Sequence, residues 1–414
     1  MALEQLNLNS QATDSNWDCD LAIVGGGIVG ATLACALKNS GLRVILIESQ
    51  LPAVAVARQQ AYALSLLSGQ IFQGIGVWDK ILPQIATYRQ IRLSDAEYKG
   101  IVQFYPTDLD KEDLGYVGEH RPLLTSLYEF LADCPNVSWL CPAEVIEVEY
   151  QPSTAAITVQ VAGATRKLTT RLVVAADGAR SRIRTSAGIS TKGWKYWQSC
   201  VTARIKTEKS HNNTAFERFW PSGPMGVLPL SENRCQVVWT APHAEAKALR
   251  DLDEKEFLTL LEHRTGGLLG RLELEGDRFI FPVQLMQSDR YSLHRLVLIG
   301  DAAHCCHPVG GQGLNMGIRD AAALAQVLQE AYQQGEDMGV LPVLQRYERW
   351  RKKENLVILG FTDFLDRMFS TSWLPAIAIR RLGLWLLQRV RPVKINILQL
   401  MTGLKGCPPQ LAQR

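Results

Sequence analysis

The sequence predicts an α/β protein: a parallel sheet with crossover helices, an inserted antiparallel sheet, and a helical C-terminus. Three observations support this class. A short apolar strand near the start leads at once into a glycine-rich turn and a helix. Two later apolar strands end on an acidic residue beside a glycine, and residues 190–287 alternate between apolar and polar side chains. Because parallel strands end at one edge of their sheet, the turns that follow them should lie together.

The first crossover carries a glycine pattern, Gly-x-Gly-x-x-Gly, at residues 25–30. Gly25 permits a tight turn, Gly27 lets the backbone approach a pyrophosphate, and Gly30 lets the helix pack closely on the strand. Glu48 ends the next strand, where its carboxylate can hold both hydroxyls of an adenosine ribose and would repel a 2′-phosphate. A plain βαβ unit is the alternative. The strand–turn–helix context favours a dinucleotide site, for FAD or NAD rather than NADP.

Two further strand ends carry the same kind of signal. The apolar strand at 172–176 ends on Asp177-Gly178, and the strand at 296–299 ends on Gly300-Asp301. After Asp301 a glycine-rich loop leads into a helix, whose first turn carries unpaired N–H groups and partial positive charge. Such a helix start attracts an anion or an electron-rich ring edge, and Asp301 can accept hydrogen bonds from a chain of hydroxyls. Taken alone, the loop could equally be a surface turn.

The middle of the chain predicts a second, antiparallel sheet. Alternation recurs from Val201 to Thr240 and from Phe279 to Val283, with one polar helix between them, from Ala244 to Glu262. Residues 98–113 are expected to be irregular. Aromatic residues of this region could line a pocket for an aromatic substrate, although core packing explains most of them more simply. They are Trp194, Tyr196, Trp197, Phe216, Phe219, Trp220 and Trp239.

The C-terminal segment from Thr371 combines bases with Leu and Trp and contains no Asp or Glu. A basic helix of this kind can lie in a membrane interface, or it can dock on the protein with its bases in water. Both interpretations stay open. At the other end, residues 1–17 are polar and lack apolar periodicity, which predicts a disordered leader. No apolar run approaches the ~20 residues that span a bilayer.

Composition excludes some partners and sites. The formal net charge of +3 is too small to indicate nucleic-acid binding. The nine cysteines have no regular spacing and no secretory signal, so we expect a reduced, cytoplasmic setting, with the membrane periphery as an additional location. The pair Cys305–Cys306 lies between His304 and His307, but adjacent side chains diverge and no second ligand pair accompanies them. No metal site is expected.

Together these motifs resemble those of the aromatic-ring flavoprotein monooxygenases. The first glycine pattern, Asp177-Gly178 and Gly300-Asp301 form the triplet of motifs of that family, and the similarity runs from about residue 20 to residue 382. The branch that the chain resembles most is the ubiquinone-biosynthesis hydroxylases. The residues that carry this resemblance are Ala63-Leu64-Ser65, Gly76-Val77-Trp78, Leu114-Gly115-Tyr116-Val117, Glu217-Arg218-Phe219, Gly223-Pro224, Leu228-Pro229-Leu230, Val238-Trp239, Phe281-Pro282, Gly300 to His304, His307-Pro308 and Gly311 to Asn315.

The resemblance implies an FAD-binding, Rossmann-like domain of the glutathione-reductase type, with an inserted antiparallel-sheet substrate domain. The FAD-binding domain would be discontinuous, comprising residues 18–88, 114–190 and 288–365. The substrate domain would comprise residues 89–113 and 191–287, and residues 366–414 would form the helical C-terminal segment that can contact a membrane. The first 17 residues would precede all three.

The resemblance also implies which residues contact the cofactor. They are Gly25, Gly27, Ile28, Val29, Gly30, Glu48, Arg58, Gln60, Arg121, Val145, Asp177, Gly178, Gly300, Asp301, Gly311, Gln312, Gly313, Leu314 and Asn315. Gln60 stands where the branch usually has Arg, and Arg58 is the substitute; Arg58 and Arg121 could also be ordinary surface charges. Gly310 replaces the usual Ala, which would loosen the loop. Pro308 would form the loop wall, with His307 either a catalytic base or a structural histidine.

The implied activity is hydroxylation of an aromatic ring through a flavin C4a-hydroperoxide, with O₂ as the oxidant. The substrate of this branch is a polyprenylated phenol of quinone biosynthesis. NAD(P)H would bind transiently as the reductant, or a separate reductase would deliver the electrons, and partners of a biosynthetic complex are compatible with the branch. The alternatives are an isoprenoid or carotenoid epoxidase and a prenyl-lipid carrier without redox chemistry. A flavin halogenase lacks support, because the chain has no Trp-x-Trp-x-Ile motif.

Overall fold

The computed structural model describes residues 17–371 and 373–413, apart from the side chains of Tyr98 and Lys99. The predicted leader therefore lies outside the described residues, except for Trp17. The indole N–H of Trp17 donates to Asp20 over 3.0 Å.

The structure contains two large sheets and one small sheet, surrounded by helices. The strands are β1 Cys19–Val24, β2 Val44–Ile47, β3 Ala61–Leu64, β4 Ala86–Tyr88, β5 Gln90–Asp95, β6 Tyr98–Phe104, β7 Gly115–Glu119, β8 Val137–Leu140, β9 Glu144–Tyr150, β10 Ala155–Val161, β11 Ala164–Ala175, β12 Thr191–Thr207, β13 Thr214–Phe219, β14 Met225–Pro229, β15 Arg234–Pro242, β16 Leu272–Ser288, β17 Ser292–Leu293, β18 Leu296–Leu298 and β19 His304–Cys305. The helices are α1 Ile28–Ala36, α2 Pro52–Ala55, α3 Leu66–Ile75, α4 Trp78–Ile81, α5 His120–Ala132, α6 Arg182–Ser186, α7 His243–Asp251, α8 Glu254–Thr265, α9 Gln312–Gln333, α10 Leu341–Phe369, α11 Leu374–Arg389 and α12 Arg391–Thr402.

The first sheet has the order β17-β18-β11-β1-β2-β8, and its central strands β18, β11, β1, β2 and β8 are parallel neighbours. Strand β2 is apolar throughout and all four of its residues are buried, as expected for a parallel strand that is covered on both faces. Strands β9 and β10 extend from β11 as an antiparallel meander. The small sheet has the order β3-β7-β4.

The second sheet has the order β19-β16-β12-β15-β14-β13-β5-β6 and is antiparallel except between β13 and β5. It brings the early strands β5 and β6 beside strands that lie more than 100 residues later in the chain. The expectation of irregular structure from residue 98 is therefore wrong for Tyr98–Phe104. Val102 and Phe104 alternate with less buried neighbours, but Gly100 and the shortness of the run hide this alternation in the sequence.

Two helical expectations also need correction. The region predicted as one helix from Ala244 to Glu262 is two helices, α7 and α8. Asp253 separates them because its carboxylate caps α8, accepting from the N–H groups of Lys255 and Glu256. Likewise, the basic tail forms two helices, which meet at Val390. The predicted α/β class, with its antiparallel sheet and helical C-terminus, is confirmed.

The C-terminal helices are fastened to the outer edge of the second sheet. Arg380 of α11 forms a buried ion pair with Asp95 of β5 at 3.0 Å and contacts Glu97 at 2.8 Å. Lys394 of α12 pairs with Asp108 at 2.6 Å. These contacts hold α11 and α12 against the side of the second sheet that β5 and β6 form.

Candidate active site

The three sequence motifs meet at one edge of the first sheet. They follow β1, β11 and β18, which are adjacent in the sheet order. A side chain on Gly25 would meet the carbonyl oxygen of Ala176 at 2.4 Å, which shows how closely the first two motifs approach. Val29, in the first turn of α1, lies against Gly300 of the third motif. The sheet edge therefore unites chain segments that are far apart in sequence, as the strand-end pattern predicts.

The first glycine turn is held at its base and open at its tip. Glu48 Oε2 accepts from the N–H of Gly26 at 2.7 Å, and its Oε1 accepts from the N–H of Gln50 at 2.7 Å. Gly30 must lack a side chain, because a Cβ there would lie 2.0 Å from the carbonyl oxygen of Gly25. At Gly27, by contrast, a Cβ would meet no protein atom within 4 Å. The turn thus leaves space beside Gly27 and presents the unpaired first-turn N–H groups of α1 there.

Ile28 and Val29 supply backbone groups to this turn, and their side chains point elsewhere. Ile28 is buried in the core of the first sheet. Val29 packs between Gly300 and Gly317, where a Cβ on either glycine would lie within 3.2 Å of its methyl groups. The packing of Val29 locks the start of α1 against the start of α9. Two helix N-termini are therefore fixed relative to each other at the sheet edge.

The second motif contributes a carboxylate with spare hydrogen-bonding capacity. Asp177 Oδ2 accepts weakly from the N–H of Ile183 at 3.4 Å, while its Oδ1 is buried and has no hydrogen-bond partner among the described residues. A Cβ on neighbouring Gly178, where φ is +82°, would meet no atom within 4 Å. A buried oxygen without a partner beside open space indicates a place where a ligand donor can bind.

Asp301 of the third motif faces the open cleft, where its side chain is exposed. Neighbouring protein atoms still raise the pKa of its carboxyl by desolvation. Tyr62 lies nearby, and burial raises the pKa of its phenol. The positive charge of exposed Arg58 and the negative charge of Asp301 both act on the phenol of Tyr62, in opposite directions on its pKa.

The glycine loop, residues 307–313, turns the chain into α9. Gly310 and Gly311 both have positive φ, +69° and +61°, which residues with side chains rarely adopt. A Cβ on Gly311 would also lie 2.9 Å from the Cβ of Ala63. Gly313 and Leu314 follow in the first turn of α9, whose backbone N–H groups have no partner within the helix. The loop is thereby shaped to present N–H groups to the cleft.

Asn315 fastens the start of α9 to the small sheet. Its Oδ1 accepts from the N–H of Ser65 at 2.8 Å, and its Nδ2 donates to the carbonyl oxygens of Ala63 and Gly311, each at 2.8 Å. The side chain is thus engaged by protein, and only its backbone can face a cofactor. Gln312 Nε2 donates to the carbonyl oxygens of Gly310 and Met401, while its buried Oε1 has no hydrogen-bond partner within the part of the chain that the structure describes.

A buried ionic cluster beneath the third motif was not predicted from the sequence. Asp320 accepts hydrogen bonds from His304 at 2.5 Å, from Arg351 at 2.9 Å and from the N–H of Gly300 at 3.1 Å. Burial would raise the pKa of Asp320, but His304 and Arg351 outweigh it and lower the pKa to about 2. Asp320 therefore stays ionised and fixes the backbone of the third motif. Its partner Arg351 is 31 residues away on α10, so no local pattern announces the pair.

The remaining predicted contacts lie around the rim of the cleft. Gln60 is half-buried and its Oε1 accepts from Tyr62 at 3.1 Å. Arg121 is exposed in the first turn of α5, and Val145 is half-buried on β9. Their assignment to the cofactor stays a prediction.

His307 and Pro308 occupy different positions in the glycine loop. His307 is fully buried behind the loop: its Nδ1 accepts from the N–H of Val309, and its Nε2 lies 3.4 Å from Gln198. Burial lowers the pKa of His307 to about 3, so the ring is neutral. Pro308 instead lines a cavity beside the loop. This arrangement favours the structural interpretation of His307 and is compatible with Pro308 as a wall.

That cavity, of about 360 Å³, lies between the glycine loop, the second sheet and the C-terminal helices. Its lining is mostly apolar. Aliphatic and aromatic side chains come from β5 and β13 on one side and from α10, α11 and α12 on the other. Of the aromatic residues considered above, Phe216 and Phe219 line it, whereas Trp239 belongs to a separate core and Trp197 is half exposed. The roof formed by the C-terminal helices was not predicted.

Two charged side chains are present among the described residues that line the cavity, Glu217 and Arg380. Arg380 is already paired with Asp95 and Glu97. Glu217 lies on β13, opposite Gly226 of β14, and is partly exposed. Its sequence context, Glu217-Arg218-Phe219, identified it as part of the family resemblance but assigned it no role.

The cleft fits FAD. The unpaired Asp177 Oδ1, the open space beside Gly27 and Gly178, and the first-turn N–H groups of α1 and α9 offer acceptors, room and donors along one continuous edge. A dinucleotide with hydroxyls, phosphates and a ring edge needs all three. The glycine loop lies between this cleft and the apolar cavity, so a ring bound at the loop would face the cavity.

Comparison with known proteins agrees with this geometry. The family model described as "FAD binding domain" matches residues 18–354. An uncharacterized protein of Synechocystis sp. is 53% identical, covering 97% of this chain and 96% of its own length. The ubiquinone hydroxylase UbiL of Rhodospirillum rubrum is 36% identical over 91% of this chain and 87% of its own. The 3-demethoxyubiquinol 3-hydroxylase of Escherichia coli is 31% identical over 94% and 100%.

The fold also matches a solved structure. The p-nitrophenol 4-monooxygenase PnpA of Pseudomonas putida superposes with a TM-score of 0.79 at 21% identity, covering 94% of this chain and 98% of that one. At this identity the match supports the fold alone. With the family model spanning most of the chain and hydroxylase relatives matching nearly all of it, the chain belongs to the FAD-dependent aromatic-ring monooxygenases and to the branch of ubiquinone-biosynthesis hydroxylases.

Proposed function

We propose that the protein hydroxylates the ring of a polyprenylated phenol in quinone biosynthesis. The observation that carries this proposal is the apolar cavity next to the glycine loop, because its wall is almost entirely hydrocarbon. A polar aromatic acid would find few partners there, whereas a prenyl chain is stabilised by burial at roughly 25 cal/mol per Å². The names of the relatives from Rhodospirillum rubrum and Escherichia coli agree with this substrate class.

Several residues would hold FAD. The turn at Gly25–Gly30 and the start of α1 would bind the pyrophosphate, with Glu48 at the ribose. Asp301 would accept from the ribityl hydroxyls, and the N–H groups of Gly313 and Leu314 would bind the ring edge. When bound and reduced, FAD supplies the activation of O₂ from which one oxygen atom enters an aromatic ring and the other leaves as water.

The chain's own contribution is position, charge and exclusion of water. The partial positive charge at the start of α9 stabilises negative charge on a ring placed at the glycine loop. Pro308 and Val309 line the cavity and would form its wall beside that ring. The C-terminal helices close the opposite side, and this matters because activated oxygen that meets water is lost as H₂O₂. The substrate ring would thus lie between Pro308 and the second sheet.

A spectrum and a turnover assay test this function. The purified protein should show the absorbance of bound flavin, and a prenylated phenol should stimulate NAD(P)H oxidation and yield a hydroxylated product by mass spectrometry. If flavin is bound but the phenol does not stimulate NAD(P)H oxidation, and a separate reductase restores flavin reduction, the protein would still be a hydroxylase. Its electron donor would then be the reductase. Protein that takes up no FAD on reconstitution would refute the proposal and favour the lipid carrier.

We also propose that the C-terminal helices contact a membrane surface. No helix in the described ranges 17–371 and 373–413 is both long and apolar enough to cross a bilayer. On α11, however, Leu382 is 55% exposed and Trp385 49% exposed, with the bases Arg389 and Arg391 exposed nearby. Ile379 of α11 is exposed as well and also lines the cavity, so the apolar surface reaches the cavity. Apolar and basic groups in this combination suit an anionic lipid interface.

Vesicle sedimentation tests the membrane contact. The wild-type protein should sediment with vesicles of phosphatidylcholine and phosphatidylglycerol, more weakly as salt rises, because part of the attraction is electrostatic. The double variant Leu382→Glu/Trp385→Glu should lose most of this binding. A matched control is Leu260→Glu/Leu268→Glu, whose leucines are also exposed but lie in α8 and the turn after it. Equal loss in both variants would contradict a contact through α11.

A further inference from the structure

The strongest unassigned group in the molecule is the carboxylate of Glu217. We propose that Glu217 accepts the hydrogen bond of the substrate's ring hydroxyl and takes its proton as oxygen is transferred, which makes it a catalytic residue and a determinant of specificity for phenols. This inference rests on the proposed function and names the group that orients the phenol. Its basis is the position of Glu217 between the glycine loop and the apolar cavity.

The backbone around Glu217 is arranged to admit a carboxylate. On one side its register partner is Gly226, and a Cβ there would lie 3.4 Å from Glu217 Oε2, at ordinary contact distance, so the carboxylate lies directly beside this glycine. On the other side its partner is Leu93 of β5. The N–H of Gly310, in the glycine loop, interacts with the carboxylate. Glu217 is therefore next to the loop where the flavin ring would bind.

The environment of Glu217 also shifts the pKa of its carboxyl toward neutral pH, which suits a catalytic base. Burial raises its pKa to about 7, and the Gly310 N–H opposes this shift in part. Among the described residues, the other charged group that lines the cavity is Arg380, which is engaged by Asp95 and Glu97. Burial, with a smaller contribution from the charge of Glu217, raises the pKa of the Cys200 thiol on β12. The helices α10 and α12 contribute apolar side chains to the lining. Glu217 thus stands free to bind a donor.

The chemistry requires a group of this kind. Oxygen transfer to an aromatic carbon is an electrophilic step, and loss of the hydroxyl proton increases electron donation into the ring. The O–H bond breaks, the proton goes to Glu217, and the electron pair stays on the ring oxygen. One atom of O₂ forms the new C–O bond, the C–H bond at that carbon breaks as its proton leaves to solvent, and Glu217 returns its proton to the ring oxygen. The other atom of O₂ leaves as water, and NAD(P)H supplies the two electrons. A catalytic base is most effective when its pKa lies near the working pH.

The test compares pH profiles of Glu217→Gln with wild type. For wild type, kcat/KM should rise with pH through about 7, because the free carboxylate is the active form. Glu217→Gln should lose this limb and roughly a hundredfold or more in kcat/KM, while retaining FAD. Glu217→Asp should keep the limb at a lower rate. The matched control, Glu273→Gln, changes an exposed glutamate on the same sheet and should behave as wild type.

Binding gives a second readout that does not depend on turnover. Titration with ortho-geranylphenol and with its methyl ether, followed by flavin absorbance, should show at least tenfold preference for the phenol in wild type above pH 7. Glu217→Gln should show less preference. An unchanged pH limb in Glu217→Gln would overturn the assignment. If that variant does not fold, equal binding of phenol and ether by wild type would overturn it. Absence of turnover in wild type would instead count against the proposed activity, while the titration still decides the role of Glu217.

Discussion

Gly27 and Gly30 are three residues apart and belong to one motif, yet the structure gives them different tasks. Gly30 faces protein, with the carbonyl of Gly25 where its Cβ would be. Gly27 faces open space and has an ordinary extended backbone, φ −62° and ψ 178°. The sequence pattern alone identifies both as glycines of a dinucleotide turn. The pattern assigns packing to Gly30 and ligand approach to Gly27 only by analogy with other dinucleotide turns. The contacts around the two glycines distinguish these roles directly.

Alanine substitutions should separate these two tasks. Gly27→Ala should fold with a melting temperature within a few degrees of wild type, because Ala fits its backbone, and should bind FAD roughly tenfold or more weakly. Gly30→Ala should lose both stability and FAD, because the new methyl group collides with backbone. Thermal unfolding and flavin titration of the apoproteins measure the two effects. A Gly27→Ala protein with normal FAD affinity would remove Gly27 from the cofactor site.

The buried Asp320 should dominate stability near the third motif. Replacing it with Asn breaks the fully buried pair with Arg351 and leaves that guanidinium only the less buried Glu354; breaking a buried pair typically costs about 3–5 kcal/mol. Glu144→Gln, which breaks the exposed pair with Arg182, should change the free energy of unfolding by less than about 1 kcal/mol. Urea unfolding at neutral pH compares the two variants. Similar small losses would show that the Asp320 cluster contributes little.

The same cluster predicts a pH dependence with a definite sign. The pKa of Asp320 is about 2 in the folded protein and 3.8 in its unperturbed form. Between about pH 2 and pH 4 the unfolded chain binds more protons than the folded protein. The contribution of Asp320 to the free energy of unfolding is therefore present above about pH 4 and is lost as pH falls toward 2. The loss is on the order of 2 kcal/mol. Wild type should therefore lose more stability than Asp320→Asn between these pH values.

At the level of elements, the glycine loop and α12 depend on each other. The sequence suggests that Gly310, in place of the usual Ala, loosens the loop. The structure offers a different reason for glycine: φ is +69°, and a Cβ would lie 2.2 Å from the terminal methyl of Met401. The contact joins residues 91 positions apart, so no local pattern could have revealed it. Glycine here permits close packing of α12.

A double-mutant cycle tests this contact. Gly310→Ala should destabilise the protein by about 1–3 kcal/mol, from the left-handed backbone and the clash together. Combining it with Met401→Ala should cost less than the sum of the single changes, by about 1 kcal/mol, since the clash is relieved while the backbone strain stays. Urea unfolding measures all four corners. Strict additivity would mean that Met401 moves away freely.

Element by element, local signals account for much of the fold. The apolar strands followed by glycine or acid were predictable because their periodicity and turn residues are local. The break between α7 and α8 depends on one capping side chain, Asp253, inside a uniformly polar stretch. Strand β6 depends on pairing with β5, and its edge position leaves only a short alternation. Such features are decided by neighbours that periodicity cannot identify.

For the whole molecule, the C-terminal helices are the least predictable part and the one that completes the cavity. Their composition suggested a surface role but not the roof that they form. The roof depends on the ion pair between Arg380 and Asp95, which are 285 positions apart in the chain. Long-range pairing of this kind leaves no trace in local sequence. The cofactor edge was therefore predictable in outline, while the substrate cavity was not.

The roof predicts how well oxygen transfer is coupled to substrate. Arg380→Met leaves Asp95 buried without its partner and should loosen α11, so more of the NAD(P)H consumed should appear as H₂O₂. Lys394→Met, which breaks a more accessible pair with Asp108, should raise H₂O₂ much less. Peroxide yield per NAD(P)H, with flavin content held equal, is the measurement. Unchanged coupling in Arg380→Met would show that the roof does not exclude water.

The positions of the site residues along the chain also determine the order in which the two halves of the site are synthesised. The cofactor residues proposed here all precede Gln333, the end of α9, whereas the cavity also needs Leu398 and Met401 of α12. A chain emerging from the ribosome presents its N-terminal part first. During translation, every group assigned to FAD is therefore available before the substrate cavity has its last wall. A nascent chain could therefore bind flavin while its substrate cavity is still open to water. Packing of α12 on Gly310 would then close the cavity, so that activated oxygen is no longer lost to water as H₂O₂.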